Sequence, residues 1–582
     1  MHTHHEFFLT PSNPTHTLYE ALRAFYVDRL SAADVAQKFG WSTGYFNKLR
    51  SQFHRAADSG NPPQFFQEKT RGPTAIPVEE SVQRLILALR KKAYSIVDIQ
   101  AVLQAQGQPL SLRRIHAVLT SHGVPRLPKR TQQEKQHTQL PQIIQPPKVR
   151  PLALTVQTPL QMTTRYGGVF FFLPFITQLH LTALIREAQY PATQQLGAHH
   201  YLLSLLFLKL LDKERLSHID DVNLDRGAGL FVGLNGLPKS SAISSYAYKT
   251  NHPMNQRFLT GLYQAVHQVT PFSGDIALDF TAIPHWGDAS VLERNWNGAR
   301  GKALKSVLAL VALDQGTGFL PYGTTEIAHK DKHDAIFEFV DFWKEATSQP
   351  LQCLIFDSKF TTYENLSRLN TDGIKFITLR RRGATLMQQA NALPKHRWKT
   401  LRLDSLSRKH PTVSVHEAQM TLPGYEGTLR QMIITNHGHR QPAFLITNDF
   451  HSTQKAIVTK YARRWLVEKS ISEQIHFFHL NLLSSSIVVK VDLDLTMTIA
   501  AHTLYRMFAN TLSGFEQAEA KTLFRRFIDT TADIEVDYPT LRIKVLKKAH
   551  YPLLFEEDVF QTSHPIPWLN NIKVEFSMKN ST

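Results

Sequence analysis

The sequence contains one cysteine, Cys353, among its 582 residues. A single thiol cannot form a disulfide bond within the chain, and it excludes zinc sites built from several cysteines. The 28 histidines form neither a His-Glu-x-x-His motif nor a Cys/His metal-binding spacing. The common zinc-binding motifs are therefore missing.

Long hydrophobic segments are missing as well. The longest apolar runs are VFFFLPF and YLLSLLFLKLL, and both are shorter than the roughly 20 residues that cross a bilayer as a helix. The N-terminal segment MHTHHEFFLT lacks the basic stretch and the apolar stretch of a signal peptide. We therefore expect a protein of the reducing cytoplasm, without a membrane partner.

Acidic residues are scarce relative to basic ones: 48 Asp and Glu stand against 66 Lys and Arg, a net charge of +18. Such an excess favours a polyanionic partner, and nucleic acid is the usual one. A basic enzyme without such a partner is the alternative. Hydrophobic residues make up 42% of the chain, which at this length predicts a globular protein of several domains.

Residues 1–60 have the pattern of a helix-turn-helix domain. Ser31 and Ser42 are suited to cap two helices, and Gly40 between them is suited to end the first of these. One face of the following helix should be buried, and the other should contact DNA bases or phosphates. The predicted buried residues are Tyr45, Phe46 and Leu49, and the predicted DNA-contacting residues are Asn47, Lys48 and Arg50.

The same pattern recurs in residues 75–125. Ser95 with Asp98, and then Ser111, again mark the starts of helices. Two modules with one order of capping residues favour tandem DNA-binding domains; small helical bundles that bind protein are the alternative. The residues predicted to face outward towards DNA are Arg113, Arg114 and His116.

A linker and a helical region are predicted next. Residues 126–165 are rich in Pro, Gln, Lys and Arg and lack hydrophobic periodicity, which is typical of a flexible basic tether. Residues 166–272 have helical patterns, and Pro238 can open a helix there at its first turn. Lys239, with Ser240 and Ser241, would lie at that helix N-terminus, where phosphate binds; an ordinary capped helix fits equally well.

Residues 273–384 change to a strand pattern. The segment GDIALDFTAI alternates, and Asp279 faces away from its apolar stripe, with Asp275 and Asp288 as competing candidates for the same role. LQCLIFD is a continuous apolar strand with Asp357 at its C-terminal end, where open α/β sheets place ligands. The predicted order is three strands, helix, strand, helix, strand, which is that of an RNase H-like α/β core.

Three segments follow this first part of the core. Residues 385–450 predict an all-β insertion. Residues 451–530 return to the core as helices, the first of which carries Tyr461, Arg464 and Glu468 at a spacing that aligns them on one face of an α-helix. Residues 531–582 contain strand-like pieces that either complete the fold or support dimerisation.

Together these residues resemble the DDE transposases of bacterial insertion sequences. The resemblance rests on Asp279-Phe280-Thr281, on Asp357 before a helix, and on Tyr461-x2-Arg464-x3-Glu468. Within this family, the chain resembles the group that has a β-strand insertion before the acidic helix and a Tyr-Arg-Glu-Lys signature on that helix. The resemblance implies cut-and-paste transposition by a homodimer that holds two transposon ends in a synaptic complex, at the bacterial nucleoid.

The resemblance also implies roles for the site residues. Asp279, Asp357 and Glu468 would be catalytic and would hold two Mg²⁺ ions, for which Mn²⁺ substitutes. Tyr461 and Arg464 would grip the backbone of the transposon end. Double-stranded DNA, as transposon ends and as target, would be the substrate.

The signature departs from the family pattern at one position. The signature lysine is expected seven residues after Glu468, where this chain has Ile475. Lys469 or His476 is a candidate replacement for its phosphate contact.

Two other functions compete with an active transposase. One is a catalytically silent, transposase-derived DNA-binding regulator, against which the three acids argue. The other is a nuclease of the same fold, against which the tandem helix-turn-helix modules and the β insertion argue.

Overall fold

The computed structural model describes residues 13–60, 65, 78–91, 94–127, 148–152, 154, 159–284, 292–297, 301–328, 330–358, 360–403, 411–480 and 488–579. The chain divides into two compact units, residues 1–144 and residues 145–582.

The first unit begins with three helices, α1 (Pro14–Tyr26), α2 (Ala32–Lys38) and α3 (Thr43–Asp58). Ser31 Oγ accepts a hydrogen bond from the Asp34 amide, and Ser42 Oγ accepts one from the Tyr45 amide, so each serine caps its helix. Gly40, with a φ of +68°, makes the turn between the two helices.

The buried face of α3 is narrower than its sequence predicts. Phe46 is fully buried against Ala21, Leu22 and Val35, but Tyr45 is 50% exposed. The prediction that Tyr45 is buried is therefore wrong. Its ring lies edge-on to Trp41 at the rim of the bundle, which an aromatic side chain with a polar hydroxyl tolerates.

Three more helices follow in the same unit: α4 (Glu80–Lys91), α5 (Ile96–Ala105) and α6 (Leu112–Ser121). Ser95 and Asp98 form a reciprocal capping box, in which each side chain accepts from the other residue's backbone amide. The apolar faces of the three helices meet in one small core that contains Ile86, Ile99 and Ile115.

The second unit begins within the predicted tether, whose residues 128–147 lie outside the described part of the chain. Leu152 donates its backbone amide to Gly233 at 3.0 Å, and Arg150 donates its own to the Asn235 side chain at 2.8 Å. Strand β1 (Leu160–Thr164) then pairs with a strand near the C-terminus. The predicted tether, residues 126–165, therefore includes residues that belong to the folded second unit. Their partners are distant in sequence, so these short segments show no local hydrophobic periodicity that would have predicted a folded structure.

The region predicted to be helical consists of helices with short 3₁₀ turns. The helices are α7 (Leu173–Gln178), α8 (Leu181–Glu187), α9 (Ala198–Leu210), α10 (Arg226–Phe231), α11 (Ser240–Ala247) and α12 (His252–Val269). Helix α9 contains the YLLSLLFLKL run and is buried over most of its circumference. Among the described residues no single helix is long and apolar enough to cross a membrane. Two consecutive segments, Gly167–Gln178 and Leu181–Glu187, together have the length and composition of a membrane span, but they are bent by 57° relative to each other.

The next elements form the centre of the main sheet. They are β2 (Asp275–Pro284), β3 (Arg294–Asn297), β4 (Lys302–Asp314), β5 (Tyr322–Thr324), α13 (Ala335–Ala346), β6 (Cys353–Ile355), α14 (Tyr363–Thr371) and β7 (Phe376–Leu379). Strand β4 is antiparallel to β2 and β5, whereas β6 is parallel to β2 and β7. The spatial order is therefore β5-β4-β2-β6-β7, with the unpredicted β3 also on β4.

The prediction of an all-β insertion over residues 385–450 is wrong in one respect, because the segment is not all β. The segment begins with a helix, α15 (Ala384–Asn391), before β8 (Lys399–Arg402), β9 (Thr412–Met420), β10 (Leu429–Thr435) and β11 (Ala443–Thr447). Strand β11 also pairs antiparallel with β7, so these strands extend the main sheet, which has ten strands in the described residues. The sequence ATLMQQAN is rich in good helix formers, which explains α15.

Four helices follow the sheet: α16 (Gln454–Ala462), α17 (Trp465–His476), α18 (Val488–Thr511) and α19 (Ala520–Leu523). The C-terminal segment consists of β12 (Ala532–Asp537), β13 (Thr540–Leu546), α20 (Tyr551–Glu556), α21 (Asp558–Gln561), β14 (His564–Ile566) and β15 (Ile572–Lys579). With β1, its described strands form a second sheet in the order β1-β12-β13-β15-β14. Of the two options left open by the sequence, the C-terminal residues thus complete the fold.

Candidate active site

Two of the three predicted acids are brought together by the register of parallel strands. Ala277 on β2 pairs with Ile355 on β6. Asp279 lies two residues further along β2, and Asp357 lies two residues beyond Ile355, the last residue of β6, so both acids lie on the C-terminal side of this paired position. Adjacent strands lie about 4.8 Å apart, which puts both carboxyl groups at one edge of the parallel pair.

The third acid, Glu468, reaches the site from helix α17, which packs on β2 and β4. Its carboxylate accepts a hydrogen bond from Arg464 Nη2. The other terminal nitrogen of the same guanidinium donates to Asp279 Oδ2 at 3.2 Å. One arginine therefore links the acid on the strand to the acid on the helix.

Tyr461, Arg464 and Glu468 do not lie on one continuous helix, and that prediction is corrected. Helix α16 ends at Ala462 and α17 begins at Trp465. Between the two helices, the Arg464 amide donates to the Tyr461 carbonyl at 2.9 Å, and the Val467 amide donates to the Arg464 carbonyl at 3.0 Å. Both hydrogen bonds span three residues, so the break has the geometry of a 3₁₀ turn. Arg463 and Arg464 keep right-handed helical backbone angles through this turn. The helical spacing of side chains in the sequence therefore does not predict the break between α16 and α17.

Tyr461 remains beside the acids despite the helix break. The Arg464 guanidinium carbon lies 5.9 Å from the centre of the Tyr461 ring. Burial raises the pKa of Tyr461 to about 12, against the opposing effect of Arg464. The phenol is therefore protonated at neutral pH and can donate a hydrogen bond.

The electrostatics of Asp279 indicate that Asp357 and Glu468 lie close enough to influence its charge. Burial raises the pKa of Asp279 to about 6, and the charges of Glu468 and Asp357 act in the same direction. Arg464 and the Phe280 amide lower the pKa but do not overcome burial. A carboxyl group that is desolvated beside other carboxylates favours the approach of a cation.

Arg464 is strongly held in its charged form. Burial alone would lower the pKa of its guanidinium, but Tyr461 and the three acids Asp279, Glu468 and Asp357 together raise it above its usual value. The site is thus a cluster of three acids around one permanent positive charge.

Asp275, the competing candidate for the first acid, has a different partner. Lys460 Nζ lies 2.6 Å from Asp275 Oδ1 in a half-buried ion pair. This pair is a feature that the sequence reasoning missed, although Lys460 stands directly before Tyr461. The other competitor, Asp288, lies outside the described residues.

The donor chemistry of the three acids fits a hard cation such as Mg²⁺, because all the available ligands are carboxylate oxygens. The described residues nevertheless contain no group of three or more side chains already gathered as metal ligands. The Arg464 guanidinium bonds two of the three carboxylates that such a group would need.

The two candidate replacements for the signature lysine, Lys469 and His476, have different surroundings. Ile475 packs against the main core, as its apolar side chain requires. Lys469 forms an ion pair with Glu519 at 3.1 Å, and His476 is exposed at the end of α17.

The predicted DNA-contacting residues of the first unit differ in exposure. Lys48 is exposed, but Asn47 and Arg50 are half-buried, and the Arg50 guanidinium lies over the Phe25 ring at 4.8 Å. Asn47 and Arg50 are therefore less accessible than Lys48, and DNA contact by these three residues stays a prediction. In the second module, Arg113 is exposed and Arg114 is half-buried.

The predicted phosphate site at the start of α11 is already filled by a protein side chain. Lys239 is exposed, but the Ser240 amide donates to Asp220 at 3.0 Å, and the Ser240 hydroxyl donates to the same carboxylate. This outcome favours the ordinary capped helix, because Asp220 satisfies the amide that a phosphate would use.

Comparison with known families places this site within a recognised domain. Residues 271–504 match the family described as Transposase DDE domain, and the match includes Asp279, Asp357 and Glu468. No curated protein matches the chain. The family match supports a DDE transposase, which is a metal-dependent enzyme that acts on DNA.

Proposed function

We propose that the protein catalyses cut-and-paste transposition of a bacterial insertion sequence, by metal-dependent cleavage and strand transfer at terminal inverted repeats. The observation that carries this proposal is the shared site of Asp279, Asp357 and Glu468. A strand, the residue two beyond a strand end and a helix each contribute one acid, and the charges of Asp357 and Glu468 both raise the pKa of Asp279, which supports a common site.

The fold supports the same proposal. The order β5-β4-β2-β6-β7, with an antiparallel first half and a parallel second half, is the arrangement expected of an RNase H-like core. The two three-helix modules of the first unit would act as helix-turn-helix domains that bind the transposon ends, with Lys48 and Arg113 as exposed contacts.

The three acids would hold two Mg²⁺ ions, or Mn²⁺ in their place. When bound, such ions supply an activated water and stabilise the leaving oxygen. In the cleavage step the water oxygen would form a bond to phosphorus as the bond to the 3′ oxygen breaks, with a water proton passing to that oxygen. The freed 3′-hydroxyl oxygen would then form a bond to a target phosphorus as the target's own bond to its 3′ oxygen breaks, and that 3′ oxygen would leave with the proton. Asp279 provides a largely desolvated carboxylate, and the neutral Tyr461 hydroxyl can donate to a phosphate oxygen.

A catalytically silent DNA-binding regulator is the second candidate. Two observations favour it: Ile475 stands in place of the signature lysine, and Arg464 already neutralises two of the acids. A homodimer on two transposon ends, associated with the bacterial nucleoid, belongs to the first proposal only.

The test is Mg²⁺-dependent cleavage of a duplex that carries the repeat flanking the gene. We expect the wild type to cut at the repeat boundary and Asp357→Asn to lose about 10³-fold or more in rate, because a ligand of the catalytic metal contributes several kcal/mol. Asp341→Asn, on the exposed side of α13, is the matched control and should cut normally. Tight binding to the repeat without cutting by the wild type would instead support the regulator.

A further inference from the structure

Arg464 occupies the centre of the candidate active site in a way that the transposase proposal does not require. Its guanidinium contacts Asp279 Oδ2 and Glu468 Oε1 through two different nitrogens. The Arg464 side chain is only 16% exposed, whereas that of Glu468 is 53% exposed. The arginine thus fills the space between the two acids rather than lying over them.

The same carboxylate oxygens are the ones that a metal ion would use. A cation bound between Asp279 and Glu468 would meet a permanently charged guanidinium in a half-buried site, where like charges repel with little screening. The third acid, Asp357, is also close enough to interact with the Arg464 charge. The metal and the guanidinium in its present position therefore compete for the same carboxylates.

DNA offers Arg464 another partner. A guanidinium binds phosphate through two parallel hydrogen bonds, and it does so as well as it binds a carboxylate. Arg464 stands at the turn between α16 and α17, next to the protonated Tyr461 hydroxyl, which can bind the same phosphate. A single change of side-chain conformation would move the charge from the acids to the nucleic acid.

We infer that Arg464 is an internal counter-ion that takes the place of the metal in the free protein and moves to a DNA phosphate when a transposon end binds. This inference rests on the proposed function and adds an order of events to it. Metal affinity is low until DNA withdraws the guanidinium, so the free enzyme is protected from cutting DNA at random.

The test measures Mn²⁺ binding by the full-length protein, from the electron paramagnetic resonance signal of free Mn²⁺, with no DNA present. We expect Arg464→Gln to bind Mn²⁺ at least about tenfold more tightly than the wild type, because the amide keeps much of the shape and removes the charge. Arg464→Lys keeps the charge and should bind as weakly as the wild type. Arg463→Gln, one residue earlier in the same turn, is the matched control and should also match the wild type.

A second arm adds a duplex carrying the flanking repeat. The wild type should then bind Mn²⁺ at least about tenfold more tightly, and Arg464→Gln should gain little, because its inhibition has already been removed. The Arg464→Lys result and this DNA effect remain decisive if Arg464→Gln fails to fold. A defect of folding alone would not raise metal affinity.

Two contrary results are distinguishable. If the free wild type binds Mn²⁺ as tightly as Arg464→Gln, and Asp357→Asn abolishes that binding, the inferred counter-ion role of Arg464 is wrong. The proposed metal site would still be supported by that result. If neither protein binds Mn²⁺ with or without DNA, both the counter-ion and the proposed metal-dependent function fail.

Discussion

Replacement of Asp492 by asparagine should strongly destabilise the second unit, residues 145–582. Asp492 lies on α18, is 1% exposed, and accepts hydrogen bonds from three other residues. Its Oδ1 accepts from the Thr325 amide and hydroxyl at 3.0 and 3.1 Å. Its Oδ2 accepts from His252 Nδ1 at 2.9 Å and from Asn255 Nδ2 at 2.7 Å. One carboxylate therefore connects α18 to α12 and to the end of β5.

The magnitude follows from what Asp492→Asn removes. Each oxygen of the Asp492 carboxylate accepts two hydrogen bonds, and in asparagine one of these oxygens is replaced by an NH₂ group that cannot accept. Two buried donors therefore lose their acceptor. The substitution also removes the negative charge beside His252. Breaking a buried, hydrogen-bonded ion pair typically costs about 3–5 kcal/mol. We expect a loss of this size in the free energy of unfolding, measured by urea denaturation with circular dichroism.

Asp372→Asn is the matched control, because Asp372 is 45% exposed and its contact with Lys344 is 3.9 Å long. Its effect should stay within about 0.5 kcal/mol. A free energy of unfolding for Asp492→Asn within about 1 kcal/mol of the wild type would refute the view that this network holds the elements together.

Three further predictions concern other parts of the chain. Burial would lower the pKa of His252, but the hydrogen bonds that its ring donates to Asp492 and Glu338 raise it to about 10. Its stabilising contribution is therefore complete below about pH 6.5 and is lost as pH rises towards 10, so the wild type should lose stability relative to His252→Gln over that window in pH-dependent urea melts. Gly168→Ala should lower the melting temperature and the soluble yield, because a Cβ there would lie 2.1 Å from the Ile528 carbonyl oxygen; an unchanged melting temperature would contradict this packing. Lys48→Ala should weaken binding to the repeat duplex without changing the free energy of unfolding, and the slope of log affinity against log salt concentration should fall by about one. An unchanged affinity would show that Lys48 does not contact the DNA.

The strands and helices of the core were predictable because their patterns are local. The alternation in GDIALDFTAI and the apolar run LQCLIFD correspond to β2 and β6. These patterns were enough to assign Asp279 to β2 and to place Asp357 just beyond the end of β6. The sequence could not show that β11 joins β7, because that pairing depends on residues about 70 positions apart.

Side-chain partners across the fold were the least predictable feature. Asp220 caps α11 from a preceding turn, which favours the ordinary capped helix over the alternative of a phosphate site beside Lys239. Arg464 contacts Asp279 across 185 positions of sequence, and no spacing rule could identify that contact. Glu468 at four residues from Arg464 was the one visible part of this arrangement.

The most direct test of the central claim compares Asp279→Asn, Asp357→Asn and Glu468→Gln with the triple variant in the Mg²⁺-dependent cleavage assay. If the three acids act as one metal-binding unit, each single change should reduce the rate by about 10³-fold or more, and the triple variant should be no slower than the singles. All four proteins should bind the repeat duplex with unchanged or tighter affinity. A single variant that cuts within tenfold of the wild-type rate, while folded and bound to DNA, would contradict the assignment of that acid to the catalytic site.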